Sequence, residues 1–238
     1  MFRLFCCYIV TIILLSCFPL QSWTSNIEHY SISQIPTRTM KNSKKAGDPV
    51  NIIIVGTKEI IHKVFTNAGW SIADKLILPK KIRIALDCIF NLSYRKAPIS
   101  KLYYLNRPQD ISYQLQYEGS PRKRHHVRFW RMPGYSKEVW AGAASFDEKV
   151  KFNRVTKKFT HKISPHVDNE RDLIVEIFQK YGFKLIVIDK FHAELSGVNG
   201  EGDRYYTDGK LSLLEYDVQN RIQKKCTYLP YLFREVEK

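Results

Sequence analysis

The densest polar motif of the chain is RHHVRFWR at positions 124–131. In a β-strand, successive side chains point to opposite faces, so Arg124, His126 and Arg128 would share one face with Trp130, and His125 would lie on the other. Two guanidinium groups around an imidazole suit a phosphate or a carboxylate. A solvated basic face, with His125 hydrogen-bonded inside the fold, explains the same run, and both interpretations stay open at this point.

A second polar segment, HKISPHVDNERD at positions 161–172, contains residue types that act as acid, base or metal ligand. His161, His166 and Asp168, with Asp203 from a later loop, are the catalytic candidates for a hydrolase of phosphoester or acyl bonds. The spacing matches no known metal site, and capping of a helix explains Asp168 without a metal. We therefore predict neither a metal nor another cofactor.

Two arginines in turn-rich segments are further candidates for binding an anion. Arg107 lies in RPQD, and Arg204 lies in the loop GDRYYTDG at positions 202–209. Turns explain the composition of both segments almost as well as a binding site does. The chain contains no Gly-x-Ser-x-Gly, Walker-type phosphate loop or His-Glu-x-x-His motif, so no standard hydrolase motif supports an enzyme.

The elements that position these residues follow from hydrophobic periodicity. Thr57 is placed to cap a helix that ends at Gly69, a second helix is predicted over 82–92, and a third over 169–181 with Asp168 as its cap. Strands are predicted over 50–55, 111–117, 124–131, 139–145, 150–152, 159–163, 183–191 and 210–216. This order predicts an α+β fold in one domain, with a largely antiparallel sheet covered by about three helices.

The N-terminus resembles an export signal. Arg3 precedes an apolar run over 4–15, which is shorter than the approximately 20 residues that a spanning helix needs. The run ends in Leu-Leu-Ser-Cys, similar to the lipobox of bacterial lipoproteins, which predicts lipidation of Cys17. Cleavage farther on, within 21–26, and retention of residues 4–20 as an anchor remain alternatives.

Composition divides the remaining chain into a spacer and one domain. Residues 18–47 are polar and weakly periodic, which predicts a spacer, and the domain is predicted over 48–238. The 38 Lys and Arg outnumber the 23 Asp and Glu, so the net charge is +15. Such an excess favours an anionic partner, although solvated lysines explain it equally well. With no zinc-finger spacing and no RRM-type strand, we predict no nucleic-acid partner.

Three of the five cysteines lie in the first 17 residues, which leaves Cys88 and Cys226. Two cysteines are too few for a disulfide framework. Cys88 lies in an apolar helical pattern and is interpreted as a small buried hydrophobic residue. A bridge between Cys88 and Cys226 stays open for an exported protein.

Six ordered segments carry a resemblance to a known family: DPVNIIIVGTKEIIHKVFTNAGW, APISKLYYLNRPQDISYQ, RHHVRFWR, WAGAASFDEKV, THKISPHVDNERDLIVEIF and GDRYYTDG. Over residues 48–209 the chain resembles the bacterial LssY-type C-terminal domain. In longer relatives this domain follows membrane segments, including segments that resemble the DedA type and segments that resemble the lipid-phosphate phosphatase (PAP2) type. The resemblance names the domain without naming a reaction, and the lipid phosphatase activity of those membrane segments is not carried over. Integral membrane partners stay open.

These observations together predict a membrane-tethered protein of the cell envelope, on the exported side of the inner membrane. We expect an accessory module without catalysis that binds an anionic lipid headgroup or phosphate through Arg124, His126 and Arg128. The alternative is an envelope hydrolase. An enzyme would gather its acids and bases around one concave pocket, whereas the binding function needs only a basic face.

Overall fold

The computed structural model describes residues 35–42, 45–74, 99–153 and 158–216. Within these ranges the chain forms two helices, α1 (Lys58–Asn67) and α2 (Val167–Lys180). The strands of the same ranges are β1 (Arg38–Asn42), β2 (Lys45–Pro49), β3 (Ile52–Val55), β4 (Ser71–Ile72), β5 (Tyr103–Tyr104), β6 (Arg107–Pro108), β7 (Ile111–Tyr117), β8 (Ser120–Met132), β9 (Val139–Asn153), β10 (Lys158–Ile163), β11 (Phe183–Ile188), β12 (Ser196–Val198), β13 (Arg204–Tyr206) and β14 (Leu211–Tyr216).

The predicted fold class is wrong. The described part of the chain is mostly β, with two helices and several sheets, and is not an α+β fold with three covering helices. The reason is that short or polar strands carry little periodic signal, so seven of the fourteen strands in the described ranges were not recognised. In addition, the predicted strands 139–145 and 150–152 are one continuous strand, β9.

A central sheet organises the fold, in the order β11-β14-β3-β9-β8-β7-β4, with β10 paired to β9. Its pairs are antiparallel except for β14 and β3, which run parallel. Strand β3 has the sequence IIIV and is buried along its whole length, because both faces of the sheet are covered there. The long strands β8 and β9 pair from Arg124 opposite Asp147 to Met132 opposite Val139.

The two helices cover one face of the central sheet, which we call the helical face. Helix α1 begins as predicted, because the Thr57 hydroxyl accepts a hydrogen bond from the Ile60 amide at 3.4 Å. Ile61 and Phe65 of α1 and Phe178 of α2 pack on this face against sheet residues such as Phe129. Within each helix the buried apolar residues recur every three or four positions, which is the apolar stripe that the sequence predicted.

The third predicted helix exists as α2, but its predicted cap is wrong. The helix starts at Val167, its N-cap residue is His166, and the His166 side chain makes no capping hydrogen bond. Asp168 instead lies in the first turn and accepts hydrogen bonds from the Asp208 amide at 2.5 Å and the Thr207 hydroxyl at 3.0 Å. Asp168 therefore attaches the loop before β14 to the helix.

The opposite face of the central sheet, here the pocket face, is covered by β1, β2 and β5 of a small four-stranded sheet. The sequence assigned residues up to 47 to a spacer, yet β1 and most of β2 lie there and Ile35 is buried in the core. Thr39 and Gly47 explain the close pairing of β1 and β2, since a Cβ on Gly47 would lie 2.5 Å from the Thr39 Oγ1 atom. The folded region thus begins before the predicted boundary at 48.

Several predictions fall on residues that the structure does not describe. These are the leader with Cys17, the helix over 82–92, Cys88 and Cys226. Among the residues that are described, no helix has the length and apolar character needed to cross a membrane.

Candidate functional site

A polar cavity of about 190 Å³ lies on the pocket face of the central sheet. Strands β8 and β9 form its floor, β10 one side, and β1, β2 and the loop after β12 the remaining walls. Charged and polar side chains predominate in its lining, which consists of Lys41, Asp48, Ser100, Leu102, Arg124, His126, Arg128, Asp147, Thr160, His161, Ile163, Asn199, Gly200 and Glu201.

Strand β8 contributes every second side chain between positions 124 and 128 to the floor of the cavity. Arg124, His126 and Arg128 share one face of the strand, as the alternation predicted, and this face lines the cavity. Each of the three is buried, with exposed fractions of 6%, 2% and 5%. The interpretation of this run as a solvated basic face is therefore wrong, because β1, β2 and the loop after β12 cover it. His125 points to the helical face, where its Nδ1 atom lies 2.8 Å from the Glu170 carboxylate.

Asp147 of β9 is the acceptor that joins the floor residues. Its Oδ2 atom accepts a hydrogen bond from Arg124 Nε at 2.8 Å, and its Oδ1 atom lies 3.1 Å from His126 Nε2. The Nδ1 atom of His161 is 3.9 Å from the Asp147 Oδ2 atom. Burial alone would raise the pKa of Asp147, but His126, His161 and Arg124 together hold this pKa well below its ordinary value. Asp147 is therefore an ionised, buried acceptor at neutral pH.

Arg128 forms the second buried ion pair of the cavity, with Asp48 of β2. The Arg128 Nη1 atom donates to the Asp48 Oδ2 atom at 3.1 Å, and Ser100 accepts from Nε and Nη2 at 3.1 and 3.2 Å. Asn199 donates to the other Asp48 oxygen at 3.2 Å. Burial lowers the pKa of Arg128, and the carboxylates of Asp48 and Asp147 counter part of that shift. These bonds hold one guanidinium plane in a fixed orientation.

The mouth of the cavity carries a third ion pair, between Lys41 of β1 and Glu201. These two side chains are partly exposed, at 28% and 22%, so they are the charged pair that a ligand meets first. Asn199 shapes the loop that presents Glu201, because its side-chain oxygen accepts from the amides of Glu201 and Asp203 at 2.9 Å each. The result is a concave site with alternating positive and negative groups.

Of the predicted catalytic residues, His161 lines the cavity and the other three do not. His166 stacks on the Tyr206 ring at 5.8 Å, and Asp168 binds the loop before β14. Asp203 is buried beside the cavity, where it pairs with Lys151 and accepts from the Ile163 amide at 3.4 Å. The predicted catalytic set is therefore dispersed, and its one remaining member lies beside Asp147.

The two other predicted anion ligands lie outside the cavity lining. The Arg107 Nη1 atom donates to both carboxylate oxygens of Asp110, at 2.7 and 2.6 Å, and Arg107 lines a different cavity. Arg204 is exposed on β13. Within the predicted ligand set, the structure brings together Arg124, His126 and Arg128, and separates Arg107 and Arg204 from them.

Sequence reasoning missed Asp147, Asp48, Lys41 and Glu201. A signal for Asp147 exists, because Ala141, Ala143, Ser145 and Asp147 alternate along β9, and small residues on one face leave space for a cavity. The predicted break of this strand after position 145 hid that pattern. For Lys41, Asp48 and Glu201 no local signal is apparent, since their role depends on packing against a distant strand.

The described residues contain no group of three or more His, Cys, Asp or Glu side chains that could hold a metal ion. What the cavity offers is hydrogen-bond donors from Lys41 and the guanidinium groups, acceptors from three carboxylates, and imidazole groups that exchange protons. The cavity volume of about 190 Å³ is smaller than the roughly 300 Å³ or more of pockets that hold drug-sized ligands. The lining therefore suits a small polar ligand or the polar end of a larger one.

Comparison with known proteins identifies a family for this domain. The family model described as LssY C-terminus matches residues 32–211, which includes every residue of the cavity lining. No curated protein matches the chain, and no solved structure does. The matched range begins before β1, in agreement with the structural finding that β1 and β2 are part of the domain.

Proposed function

The chain belongs to the LssY C-terminus family, and within that domain we propose that the cavity on β8 and β9 binds a small anionic ligand. The ligand is a phosphate group, either free or at the head of a lipid. The observation that carries this proposal is the pair of buried guanidinium groups, Arg124 and Arg128, held toward one cavity by buried carboxylates. Guanidinium groups that are fixed in orientation lose little entropy on binding a phosphate.

The setting we propose for this binding is the surface of a membrane in the cell envelope. Support comes from the apolar leader and the net charge of +15, because excess positive charge concentrates a protein at anionic lipid. A tethered domain would then present the Lys41 side of its cavity to headgroups or to soluble phosphate compounds. In this role the protein is an accessory module beside integral membrane partners.

Vesicle sedimentation of the full-length protein tests the proposal. Vesicles of phosphatidylcholine with phosphatidic acid are compared with phosphatidylcholine alone, because the leader would bind both kinds equally. We expect preference for phosphatidic acid in the wild type, and its reduction by about tenfold in Lys41→Gln, which removes a charge-assisted hydrogen bond at the mouth.

The matched control is Arg204→Gln, which removes one positive charge from an exposed site outside the cavity. A variant Arg124→Lys keeps the charge but removes the planar fork, and we expect it to weaken binding as Lys41→Gln does. Equal binding of the wild type to both vesicle types, or an equal loss in Arg204→Gln and Lys41→Gln, would contradict the proposal.

A hydrolase is the second candidate function, and one observation favours it. The ionised Asp147 lies beside both His126 and His161, at 3.1 and 3.9 Å, which is an arrangement that orients an imidazole as a base. His161 would take a proton from water as the water oxygen bonds to phosphorus. The bond from phosphorus to the leaving oxygen would break, and the histidine would return the proton to that oxygen.

Release of a chromophore from an aryl phosphate tests this second candidate. An enzyme would lose its activity in His161→Asn and keep it in His166→Asn, because His166 lies outside the cavity lining. If the wild type binds phosphate but does not hydrolyse the aryl phosphate, the hydrolase is excluded and the binding function remains.

A further inference from the structure

The charges that line the cavity are balanced, and this balance restricts which anion the proposed function can involve. The described lining contains three permanent cations, Lys41, Arg124 and Arg128, and each is paired with a carboxylate, Glu201, Asp147 or Asp48. The permanent charges of the lining, counted without the two histidines, therefore sum to zero. A fully ionised anion would enter a site whose positive groups are already compensated and whose negative groups would repel it.

The carboxylates also act as hydrogen-bond acceptors within the cavity. An ionised carboxylate donates nothing and offers about four acceptor positions on its two oxygens. Asp48 uses its oxygens for Arg128 and Asn199, at 3.1 and 3.2 Å, and each oxygen can accept a second bond. Glu201 is held by Lys41 and is partly exposed at the mouth. A ligand that fills this cavity must therefore bring hydroxyl donors as well as acceptor oxygens.

The two histidines of the lining face Asp147 in different ways. His126 Nε2 faces Asp147 and Ser145, and its Nδ1 atom lies 3.4 Å from the Arg128 Nη1 donor. Since a guanidinium nitrogen can only donate, Nδ1 of His126 accepts in this contact and Nε2 faces the Asp147 carboxylate as a donor. His161 faces Asp147 at 3.9 Å and lines the same cavity, so it is the imidazole that is placed to take up a proton beside a bound anion.

From this balance of donors and acceptors, we propose that the cavity selects a phosphate group that still carries a proton or hydroxyl groups, and rejects sulfate. Phosphate and sulfate have nearly the same size, but sulfate has no proton to donate near neutral pH. A monoprotonated phosphate, or a phosphomonoester with its own hydroxyls, can donate to Asp48 or Glu201 while its other oxygens accept from the guanidinium groups. This inference rests on the proposed function and adds the chemical class of the ligand.

Isothermal titration calorimetry of the full-length protein tests the selectivity. Inorganic phosphate and sulfate are titrated at equal ionic strength and at about pH 6, where phosphate still carries protons that it can donate and sulfate carries none. We expect phosphate to bind about tenfold more tightly than sulfate, which corresponds to one hydrogen bond to a charged group. In Glu201→Gln we expect sulfate affinity to rise toward that of phosphate, since one repulsive carboxylate is gone.

The control variant is Glu176→Gln, which removes an exposed carboxylate of α2 on the other side of the central sheet and should keep the preference. Equal affinity for phosphate and sulfate would overturn the selectivity but leave the proposed anion binding in place. Absence of binding to either anion would overturn both the selectivity and the proposed function.

A competition experiment separates free phosphate from a lipid headgroup as the source of the phosphate group. If glycerol phosphate displaces the protein from phosphatidic acid vesicles, the headgroup itself occupies the cavity.

Discussion

Arg128 and Asp48 illustrate how much the stability of the cavity depends on complete ion pairs. Both side chains are nearly inaccessible to solvent, at 6% and 8% exposure, so each is the main compensation for the charge of the other. A buried pair as such contributes little stability compared with apolar residues, but a single buried charge without its partner is strongly destabilising. The cost of a mutation here therefore depends on which charges remain.

We predict that Arg128→Ala lowers the free energy of unfolding by about 3–5 kcal/mol, because Asp48 stays buried without its cation. In Arg128→Ala with Asp48→Ala the loss should be clearly smaller than the sum of the two single losses. Urea unfolding measures these values. Arg131→Ala, on the same strand but 61% exposed, should change stability by less than about 0.5 kcal/mol. Additive losses would show that the two charges are not coupled.

The buried carboxyl group of Glu170, on the helical face, should make the stability of the protein depend on pH. One carboxylate oxygen lies 2.8 Å from His125 Nδ1, and the other has no hydrogen-bond partner in the described part of the chain. Burial raises the pKa of Glu170 above its ordinary value, and the hydrogen bond and charge of His125 offset only part of this. The folded protein therefore holds this proton to higher pH than the unfolded chain does.

Because the folded state binds the Glu170 proton more tightly, this residue makes stability fall as the pH rises from about 4.5 through the raised pKa. We predict that Glu170→Gln removes this fall, so that the variant loses less stability than the wild type as the pH rises above about 4.5. Chemical unfolding at a series of pH values measures the difference. Glu176→Gln, an exposed position of the same helix, should follow the wild-type curve. Parallel curves for Glu170→Gln and the wild type would contradict the assignment.

Among the elements, β9 contributes most to both the fold and the cavity. It pairs with β3 through residues 139–142, with β8 through 139–147 and with β10 through 147–153, and it carries Asp147. Gly142 lies in its buried part, where a Cβ would be 2.6 Å from Ile52 Cγ2 and 2.6 Å from Phe129 Cε1. Both neighbours are fully buried, so neither can move aside without disturbing the core.

We therefore predict that Gly142→Ala lowers the free energy of unfolding by about 1–3 kcal/mol, because the added methyl group overpacks the core. In an ordinary strand the same substitution would not be destabilising, since glycine weakens a strand interior. Because the substitution displaces β9 against β8, we also expect weaker phosphate binding through the shifted Asp147 carboxylate. Denaturant unfolding and calorimetry measure the two effects. Lys149→Ala, an exposed position on the same strand, is the control and should affect neither. Unchanged stability in Gly142→Ala would indicate that the core has room for a methyl group.

For the molecule as a whole, the untested proposal with the widest consequence is export. The apolar run over 4–15 ends in Leu-Leu-Ser-Cys, and the cavity for which we propose phosphate binding lies far from this leader in sequence. A lipid on Cys17 would hold the cavity near a membrane, and the positive charge of the chain would add to the attraction of anionic lipid.

We predict that the mature protein begins at Cys17 and carries a lipid on that residue. Mass spectrometry of the intact protein from a membrane fraction measures the N-terminus and its modification. Cys17→Ser should lose the lipid, and Cys7→Ser should keep it, because Cys7 lies within the removed segment. A mature chain that begins after position 17, or an intact leader, would contradict lipidation, and an intact product free in the cytoplasm would contradict export.

The sequence alone was sufficient where a signal is local. Capping by Thr57, the apolar stripe of α2 and the alternation of Arg124, His126 and Arg128 each depend on neighbours within a few residues, and the structure contains all three. The fold class was predicted wrongly because the short strands and the polar strands β1 and β2 have no comparable signal. Their lysines and glycine have the composition of a linker, and their pairing with each other supplies the missing hydrogen bonds.

Alternation predicted which residues share a face of β8, but not whether that face would be solvated or covered. The covering residues come from far along the chain: Asp48 is 80 positions from Arg128, and Asn199 is 151 positions from Asp48. No periodic pattern specifies such pairings, because they result from the packing of β1, β2 and the loop after β12 onto the central sheet. Folding thereby converts a basic strand into a charge-balanced cavity, since each buried cation requires a nearby carboxylate to compensate for the water it has lost.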